Sequence, residues 1–341
     1  MIGRGEQGAR SIEDNLDRIF TRLREAPAGL HQEGPPADPR ALAQSGLSEE
    51  AAPLWSRWDG LDLCASQIVI LSLANQEEAT AAALAEGRVV TGDRVIAERG
   101  RELFVLCADP FEEGADVILI EEDGTRLPYG SRIDRTVLAW LGELTVLFGD
   151  DGEYRDELFG DDGELLPAIE RRVLRRHLDF DPDAPFVRYR LAQELRREGE
   201  PSAALVELRH VLRCAPGFAW AHYERGRALL DEGRSALAIR AMQEAHDAAP
   251  RDELGIRAYF LAWACRASEG AAREEIANRA RALDGGLVRG LEAGVREAIE
   301  RGDPSAADEL LTLGLAVQPG DLGLLGLRGP VQALARDVAG E

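Results

Sequence analysis

The chain has 341 residues and a formal net charge of −22 at pH 7, which disfavours non-specific binding to nucleic acid and to anionic membrane surfaces. All 40 basic residues are arginine, so Schiff-base lysine chemistry and a P-loop lysine are excluded. The length suits two domains, and because we find no apolar run of transmembrane length and no signal-peptide core, we expect a soluble, cytoplasmic protein.

Residues 1–150 predict an α+β domain, mostly antiparallel sheet flanked by helices at both ends. Ser11, with Asp14 three residues later, predicts the cap of a first helix whose apolar residues recur on one face. Prolines and glycines over 26–40 predict a break in regular structure, and a second helical stretch is expected at about 48–58.

Short segments rich in Val, Ile and Leu then predict strands. The segments are 67–73, 88–91, 94–97, 102–107, 115–121 and 126–129, with a helix over 76–86 after the first. Glu122-Asp123-Gly124 predicts a hairpin turn, and Ser131 with Asp134 predicts the cap of a closing helix.

A short motif in this domain carries a family resemblance. Residues 54–61 read Leu-Trp-Ser-Arg-Trp-Asp-Gly-Leu, so Trp58, Asp59 and Gly60 stand where an aromatic residue leads into an Asp-Gly turn. With the elements that follow, residues 12–147 resemble the SUKH superfamily, the Smi/Knr-like proteins. The resemblance implies a non-enzymatic binding domain, and many bacterial members resemble immunity proteins that neutralise a toxin. The Pro-rich insertion at 26–40 departs from the family pattern.

An acidic segment, residues 151–166, joins this domain to the rest of the chain. The hexapeptide Phe-Gly-Asp-Asp-Gly-Glu occurs at 148–153 and again at 159–164. Neither copy has the ligand order of an EF-hand loop. We interpret the segment as a solvated linker or hairpin, with a weak cation site as the alternative.

From residue 167 onward the prolines are regularly spaced. Pro182, Pro216 and Pro250 stand 34 residues apart, and Pro319 follows after 69. A period of this length is typical of stacked two-helix units. Other positions repeat with the same spacing: Gly199 with Gly233, Ala204 with Ala238, and Leu208 with Met242.

Each repeated residue has a physical role. The glycine ends the first helix, the alanine lets the paired helices approach, and the proline stops the second helix. By this pattern residues 167–341 are identified as a member of the tetratricopeptide family, which implies an all-α solenoid. We divide it into a half-repeat at 167–184, repeats at 185–218, 219–252, 253–287 and 288–321, and a capping helix at 331–338.

The tetratricopeptide resemblance also implies a concave groove lined by the first helix of each repeat. The groove positions carried over are Phe186, Tyr189, Arg190, Gln193, Arg196, Trp220, Tyr223, Arg227, Arg257, Arg289 and Arg296. Aromatic rings beside arginines suit a peptide with acidic groups. Alternatively, the aromatic residues pack between repeats and the arginines pair with Glu194, Glu224 or Asp231. The Lys and Asn of the family's chaperone-tail clamp are absent.

No motif predicts a catalytic site, a cofactor or a metal. The sequence has no HExxH, and no GxSxG or GxGxxG opens a helix after a strand. Cys64, Cys107, Cys214 and Cys265 show no CxxC or Cys/His zinc spacing and no disulfide framework.

We therefore expect a non-enzymatic adaptor of immunity or regulatory type. Its N-terminal domain would bind a basic protein such as a toxin, and its groove would bind a peptide or protein. The alternatives are a scaffold or secretion chaperone that uses the groove alone, and an enzyme with its site around Trp58-Asp59-Gly60. No nucleic-acid or membrane partner is expected, and the partner's identity and the oligomeric state stay open.

Overall fold

The computed structural model describes residues 11–107, 114–149, 153–160, 163 and 165–339. The chain divides into two compact units, Met1–Glu194 with Arg209–Pro216, and Leu195–Leu208 with Gly217–Glu341. Residues of the repeat at 185–218 therefore contribute to both units. None of the helices in the described part of the chain combines the length and hydrophobicity needed to cross a membrane.

The first unit contains a seven-stranded sheet in which every neighbouring pair is antiparallel and the strands lie in chain order. The strands are β1 His31–Glu33, β2 Leu61–Leu63, β3 Ile68–Ile70, β4 Arg94–Arg99, β5 Glu102–Leu106, β6 Val117–Ile120 and β7 Arg126–Gly130. All four residues of β6 are buried, because β6 lies inside the sheet and both of its faces are covered. The predicted antiparallel α+β architecture is confirmed.

Six helices accompany the sheet in the described part of this unit. They are α1 Ile12–Glu25, α2 Pro39–Gln44, α3 Ala52–Arg57, α4 Leu73–Ala85, α5 Ile133–Leu147 and α6 Pro167–Leu178. The predicted cap of α1 is confirmed: the Ser11 hydroxyl accepts from the Asp14 N–H at 3.1 Å, and the Asp14 carboxylate accepts from the Ser11 N–H at 3.2 Å.

Several local predictions for this unit are wrong. Residues 26–40 contain strand β1 and the start of α2, and β1 pairs with the unpredicted strand β2. Residues 88–91 form turns instead of a strand, because the Arg88 N–H donates to the Ala83 carbonyl and the Val90 N–H donates to Asp93. Ser131 does not cap α5, since its N–H and hydroxyl donate to Asp181.

Helix α6 packs on α5 within the first unit. His177 of α6 lies with its Nδ1 2.6 Å from Glu143 Oε1, and Phe180 packs against Gly142. Between these helices, isolated antiparallel β-bridges pair Phe148 with Tyr154 and Phe159 with Leu165. Each bridge joins the first residue of an acidic hexapeptide to the residue that follows it. The alternative of a weak cation site concerns mainly residues 150–152, 161, 162 and 164, which lie outside the described residues.

A run of helices follows, with a nearly constant spacing. The helices are α7 Pro185–Arg197, α8 Pro201–Cys214, α9 Ala219–Asp231, α10 Ser235–Ala248, α11 Leu254–Ala267, α12 Gly270–Leu283, α13 Leu287–Glu300, α14 Pro304–Val317 and α15 Leu322–Ala339. The first helices of successive repeats begin 34, 35, 33 and 35 residues apart. The predicted repetition of two-helix units is confirmed.

The repeated residues occupy the expected conformations within the second unit. Gly199, Gly233 and Gly302 follow first helices with φ of +82°, +72° and +73°, a left-handed conformation that favours glycine. Ala238 and Met242 of α10 are fully buried. A Cβ added at Gly226 of α9 would lie 2.6 Å from Met242 Cε, so the absence of a side chain there permits close helix packing.

The last helix starts earlier than the predicted capping helix at 331–338. Helix α15 begins at Leu322, one repeat period after α13, and the Leu324 N–H donates to Asp321 Oδ1 at 3.1 Å in its first turn. Pro330 lies inside this helix. Leu324 packs against Gly314 of α14, so α15 takes the place of a further first helix.

Candidate functional site

Four of the predicted groove residues belong to the first unit. The ring centroids of Phe186 and Tyr189 are 6.1 Å apart, and the Gln193 side-chain amide donates to the Tyr189 hydroxyl at 2.8 Å. Arg190 forms an ion pair with Glu170 of α6. These four side chains therefore make contacts within α7 and between α7 and α6.

Most of the predicted groove arginines in the second unit have intramolecular partners. Arg196 pairs with Glu224 and lies 3.3 Å from Asp231. Arg257 donates to the His246 carbonyl oxygen at 3.3 Å. Arg296 lies 2.6 Å from Glu292, one turn away on the same helix, and its side chain is 56% exposed. The partners of Arg196 are those named in the alternative in which the arginines support the fold, whereas Arg257 and Arg296 contact other groups.

The aromatic groove residues of this unit join one packed cluster. Trp220 and Tyr223 of α9 contact Phe260 of α11 at ring-centroid distances of 5.1 and 5.3 Å. The hydroxyls of Tyr223 and Tyr259 are 3.2 Å apart. Burial raises the pKa of Tyr223 well above its ordinary value. These rings hold neighbouring repeats together.

Two arginines lie over an aromatic ring at the edge of this cluster. The guanidinium carbons of Arg227 and Arg266 are 4.7 and 4.9 Å from the Trp263 ring centroid. Arg227 also pairs with Glu309 of α14, whereas Arg266 makes no ion pair within the described residues. Trp263 is only 2% exposed. The buried ring therefore orients the Arg266 guanidinium, which has no described carboxylate within ion-pair distance.

A cavity of about 390 Å³ lies beside Arg266, between helices of the second unit. Its lining includes three arginines, Arg266, Arg273 and Arg328, and one acidic residue, Asp308. Its apolar lining residues include Leu311, Leu315 and Val331. We call it the Arg266 cavity. Arg273 donates to the Ser268 carbonyl oxygen at 2.7 Å, and none of the three arginines forms an ion pair with a described carboxylate.

A second cavity of about 350 Å³ shares Arg266 and Arg273 with the first. Arg227 and Glu309 also line this second cavity. Among the described residues that line the two cavities, Arg227 is the only one that was predicted as a groove residue. Sequence reasoning missed Arg266, Arg273 and Arg328, because it looked for arginines on first helices at family positions.

In the first unit, the Trp58-Asp59-Gly60 motif makes structural contacts. The Trp58 indole N–H donates to Glu33 Oε2 at 2.9 Å, and Asp59 Oδ1 accepts from the Leu73 N–H at 2.7 Å. Gly60 has φ +102°. The motif therefore joins the end of β1 to the start of α4.

A larger cavity of about 790 Å³ in the first unit is lined by other residues. Among them are Asp116, Ser131, Arg132, Asp183 and Cys214. Burial, followed by the charge of Glu50, raises the pKa of Asp116 to about 6. Sequence reasoning did not single out Asp116, Asp183 or Cys214 as neighbours, since they belong to three separate segments.

Comparison with known proteins gives no match to a family model or to a curated protein. Among solved structures, MamA 41-end from Desulfovibrio magneticus RS-1 is 22% identical with a TM-score of 0.32, covering 46% of this chain and 88% of that chain. YrrB, titled a TPR protein with an unusual peptide-binding site, is 15% identical with a TM-score of 0.33, covering 58% of this chain and 91% of that chain. At TM-scores this low, neither likeness supports a conclusion about function.

Proposed function

We propose that this chain is a protein-interaction protein whose second unit binds an acidic peptide segment of a partner in the Arg266 cavity. The observation that carries the proposal is a group of three guanidinium groups, from Arg266, Arg273 and Arg328. They line a cavity that also has apolar residues, and they form no ion pairs with described carboxylates. Guanidinium groups bind carboxylates through two parallel hydrogen bonds, so the cavity suits Asp or Glu side chains.

The apolar residues of the cavity narrow the kind of peptide that fits. Leu311, Leu315 and Val331 line the same cavity as the arginines. A peptide with an apolar side chain next to an acidic one would bury the first against these residues and pair the second with Arg266 or Arg328. The chain as a whole has a net charge of −22 and therefore repels acidic segments. The arginines give this cavity a local positive charge, which attracts an acidic segment.

We further propose that residues 167–341 are tetratricopeptide repeats. The constant helix spacing, the left-handed glycines that follow first helices, and the close approach of Gly226 and Met242 support this assignment. The resemblance implies peptide binding in a concave groove lined by the first helix of each repeat, and the described lining of the Arg266 cavity includes none of the predicted groove residues.

For the first unit, the SUKH-like identity and an immunity-type or regulatory role remain predictions. Their support is the order of elements around Trp58-Asp59-Gly60 and the acidic character of the chain, which suits a basic partner such as a toxin. Protection of cells on co-expression with a toxin encoded by a neighbouring gene would support the immunity role. Binding only through the Arg266 cavity would favour the scaffold or secretion-chaperone alternative.

Peptide binding is tested with the full chain and an array of peptides in which Asp or Glu alternates with Leu. Peptides that bind are then titrated by fluorescence anisotropy at two salt concentrations. We expect binding that weakens with salt, and Arg266→Ala and Arg328→Ala each to weaken it about tenfold or more.

Arg296→Ala is the matched control, because Arg296 is an exposed arginine at a predicted groove position outside the Arg266 cavity. Its affinity should equal that of the unmodified chain. A loss of peptide affinity in Arg296→Ala but not in Arg266→Ala would indicate that the peptide binds in the predicted groove. An array in which acidic peptides bind no better than neutral ones would refute the proposal.

A further inference from the structure

Three side chains with different ligand atoms meet in the first unit. His210 and Cys214 are four residues apart on α8, so both lie on one face of the helix, and Asp183 lies in the loop before α7. The imidazole nitrogen, the thiol sulfur and a carboxylate oxygen all lie within 4.8 Å of one another. The His210 Nε2 to Asp183 Oδ1 distance is 3.1 Å.

We infer that Asp183, His210 and Cys214 bind Zn²⁺. Nitrogen, sulfur and oxygen are the ligand atoms that zinc takes in proteins, and three protein ligands with one open position are common at zinc centres. With zinc–ligand bonds of about 2.0–2.3 Å, ligand atoms in a tetrahedral centre are roughly 3.3–3.7 Å apart. Asp183 and His210 are close to this spacing, and small side-chain rotations bring Cys214 to it.

One neighbouring side chain contacts the carboxylate ligand, and the Gly114 backbone packs against the helix end that carries Cys214. Arg135 Nη1 lies 3.5 Å from Asp183 Oδ2, which leaves Oδ1 directed at His210. A Cβ added at Gly114 would lie 2.5 Å from the Cys214 carbonyl oxygen, so the backbone of the Gly114 loop lies directly against the end of α8. Carboxylate ligands in zinc centres are commonly held by an outer hydrogen bond of this kind.

Two arginines near the ligands oppose cation binding. The Arg213 Nη2 lies 3.0 and 3.1 Å from the two imidazole nitrogens of His210, and the charge of Arg188 also acts on His210 and Cys214. The Arg213 side chain is exposed on α8, so it can rotate away from the imidazole toward solvent when zinc binds. Its charge lowers the zinc affinity, so replacing it with a neutral side chain should raise that affinity.

The cavity supplies the space for a fourth ligand. Asp183 and Cys214 line the 790 Å³ cavity of the first unit. An ion held between them lies at the cavity wall, where water or a small molecule completes the tetrahedron.

The test uses the full chain after dialysis against a chelator. Zinc is titrated in competition with a coloured chelator to obtain stoichiometry and affinity, and Co²⁺ is substituted for optical spectroscopy. We expect one Zn²⁺ per chain, thiolate-to-cobalt charge-transfer absorption, and the intense visible bands of tetrahedral cobalt.

Variants assign the ligands. His210→Ala and Cys214→Ser should each weaken zinc binding by more than the roughly 10–100-fold that loss of an outer-shell partner costs, and Cys214→Ser should remove the charge-transfer band. Cys107→Ser is the matched control, because Cys107 lines the same cavity and is no part of the cluster. Arg213→Ala should bind zinc severalfold more tightly.

Circular dichroism establishes that each variant is folded. Zinc affinity that is equal in the unmodified chain, His210→Ala and Cys214→Ser would overturn the site. So would a charge-transfer band that disappears in Cys107→Ser and persists in Cys214→Ser, or the absence of stoichiometric zinc binding by the folded, unmodified chain.

Discussion

Ser131 and Asp181 are joined by two hydrogen bonds: the Ser131 N–H donates to Asp181 Oδ2 at 2.8 Å, and the Ser131 hydroxyl donates to Oδ1. Asp181 is fully buried, and this burial raises its pKa. The pair ties the end of β7 to the loop that follows α6. Asp181→Ala would leave the half-buried Ser131 N–H and hydroxyl without this acceptor, so we expect the free energy of unfolding to fall by about 1–3 kcal/mol.

Asp181→Asn is the matched comparison, measured by urea denaturation at pH 7 with circular dichroism. Asparagine keeps an oxygen that accepts from Ser131, and it removes the cost of burying a charge. Its loss of stability should therefore be smaller than that of Asp181→Ala. Equal losses in the two variants would show that the hydrogen bonds contribute nothing measurable.

A second contact in the same region depends on a glycine. A Cβ at Gly142, inside α5, would lie 2.3 Å from Phe180 Cε2, and Phe180 is only 8% exposed. Alanine normally stabilises a helix relative to glycine by about 1 kcal/mol. Here the Phe180 ring must move, so we expect Gly142→Ala to destabilise the chain by about 1–3 kcal/mol.

The control for this steric argument is Gly290→Ala. Gly290 is exposed inside α13, and a Cβ there would meet no atom within 4 Å. Thermal denaturation should show Gly290→Ala equal to or above the unmodified chain and Gly142→Ala below it. A rise in melting temperature for both would mean that Phe180 has room to accommodate a methyl group.

Much of the repeat architecture was predictable from sequence, because similar residues recur at the same positions of each repeat and make the same helix contacts. The spacing of Pro182, Pro216 and Pro250 set the helix period, and Gly233 marked a turn that requires positive φ. The pairing of β1 with β2 was not predictable. Three-residue strands such as Leu61–Leu63 carry no usable periodicity, and their pairing depends on long-range contacts.

The candidate site was much less predictable than the fold. Arg227 pairs with Glu309, 82 residues away, and no local pattern reveals which arginines find such partners. Whether Arg266 and Arg328 form ion pairs with described carboxylates depends on packing between separate repeats. The cluster of His210, Cys214 and Asp183 had only one local signal, the four-residue spacing of the first two on a helix.

The turn glycines provide a direct test of the repeat assignment. Gly233 has φ +72°, and a Cβ there would meet no atom within 4 Å, so the cost of a side chain is conformational alone. Valine is strained in this region, and we expect Gly233→Val to destabilise the chain by roughly 1–2 kcal/mol. Gly217→Val is the control, because Gly217 has equal space without a positive φ. Equal melting temperatures for the two variants would contradict the turn assignment.

The carboxyl of Asp116 predicts a pH-dependent stability. Its pKa in the folded chain is about 6, raised mainly by burial, whereas an unfolded aspartate has a pKa of about 3.9. The folded state therefore favours the protonated form of Asp116. The stability that this carboxyl contributes is fully present below the unfolded pKa, and it is lost as the pH rises through about 6. Asp116→Asn is neutral at every pH, so it should stabilise the chain at pH 7.5 by about 1 kcal/mol after allowance for solvent screening. At pH 4.5, where the folded carboxyl is already protonated, the stabilisation should be clearly smaller. Asp123→Asn is the control of opposite sign, since hydrogen bonds from Thr125 lower the pKa of Asp123. Urea denaturation of the three proteins at both pH values measures the difference, and a stabilisation by Asp116→Asn that is the same at pH 4.5 and 7.5 would contradict the raised pKa.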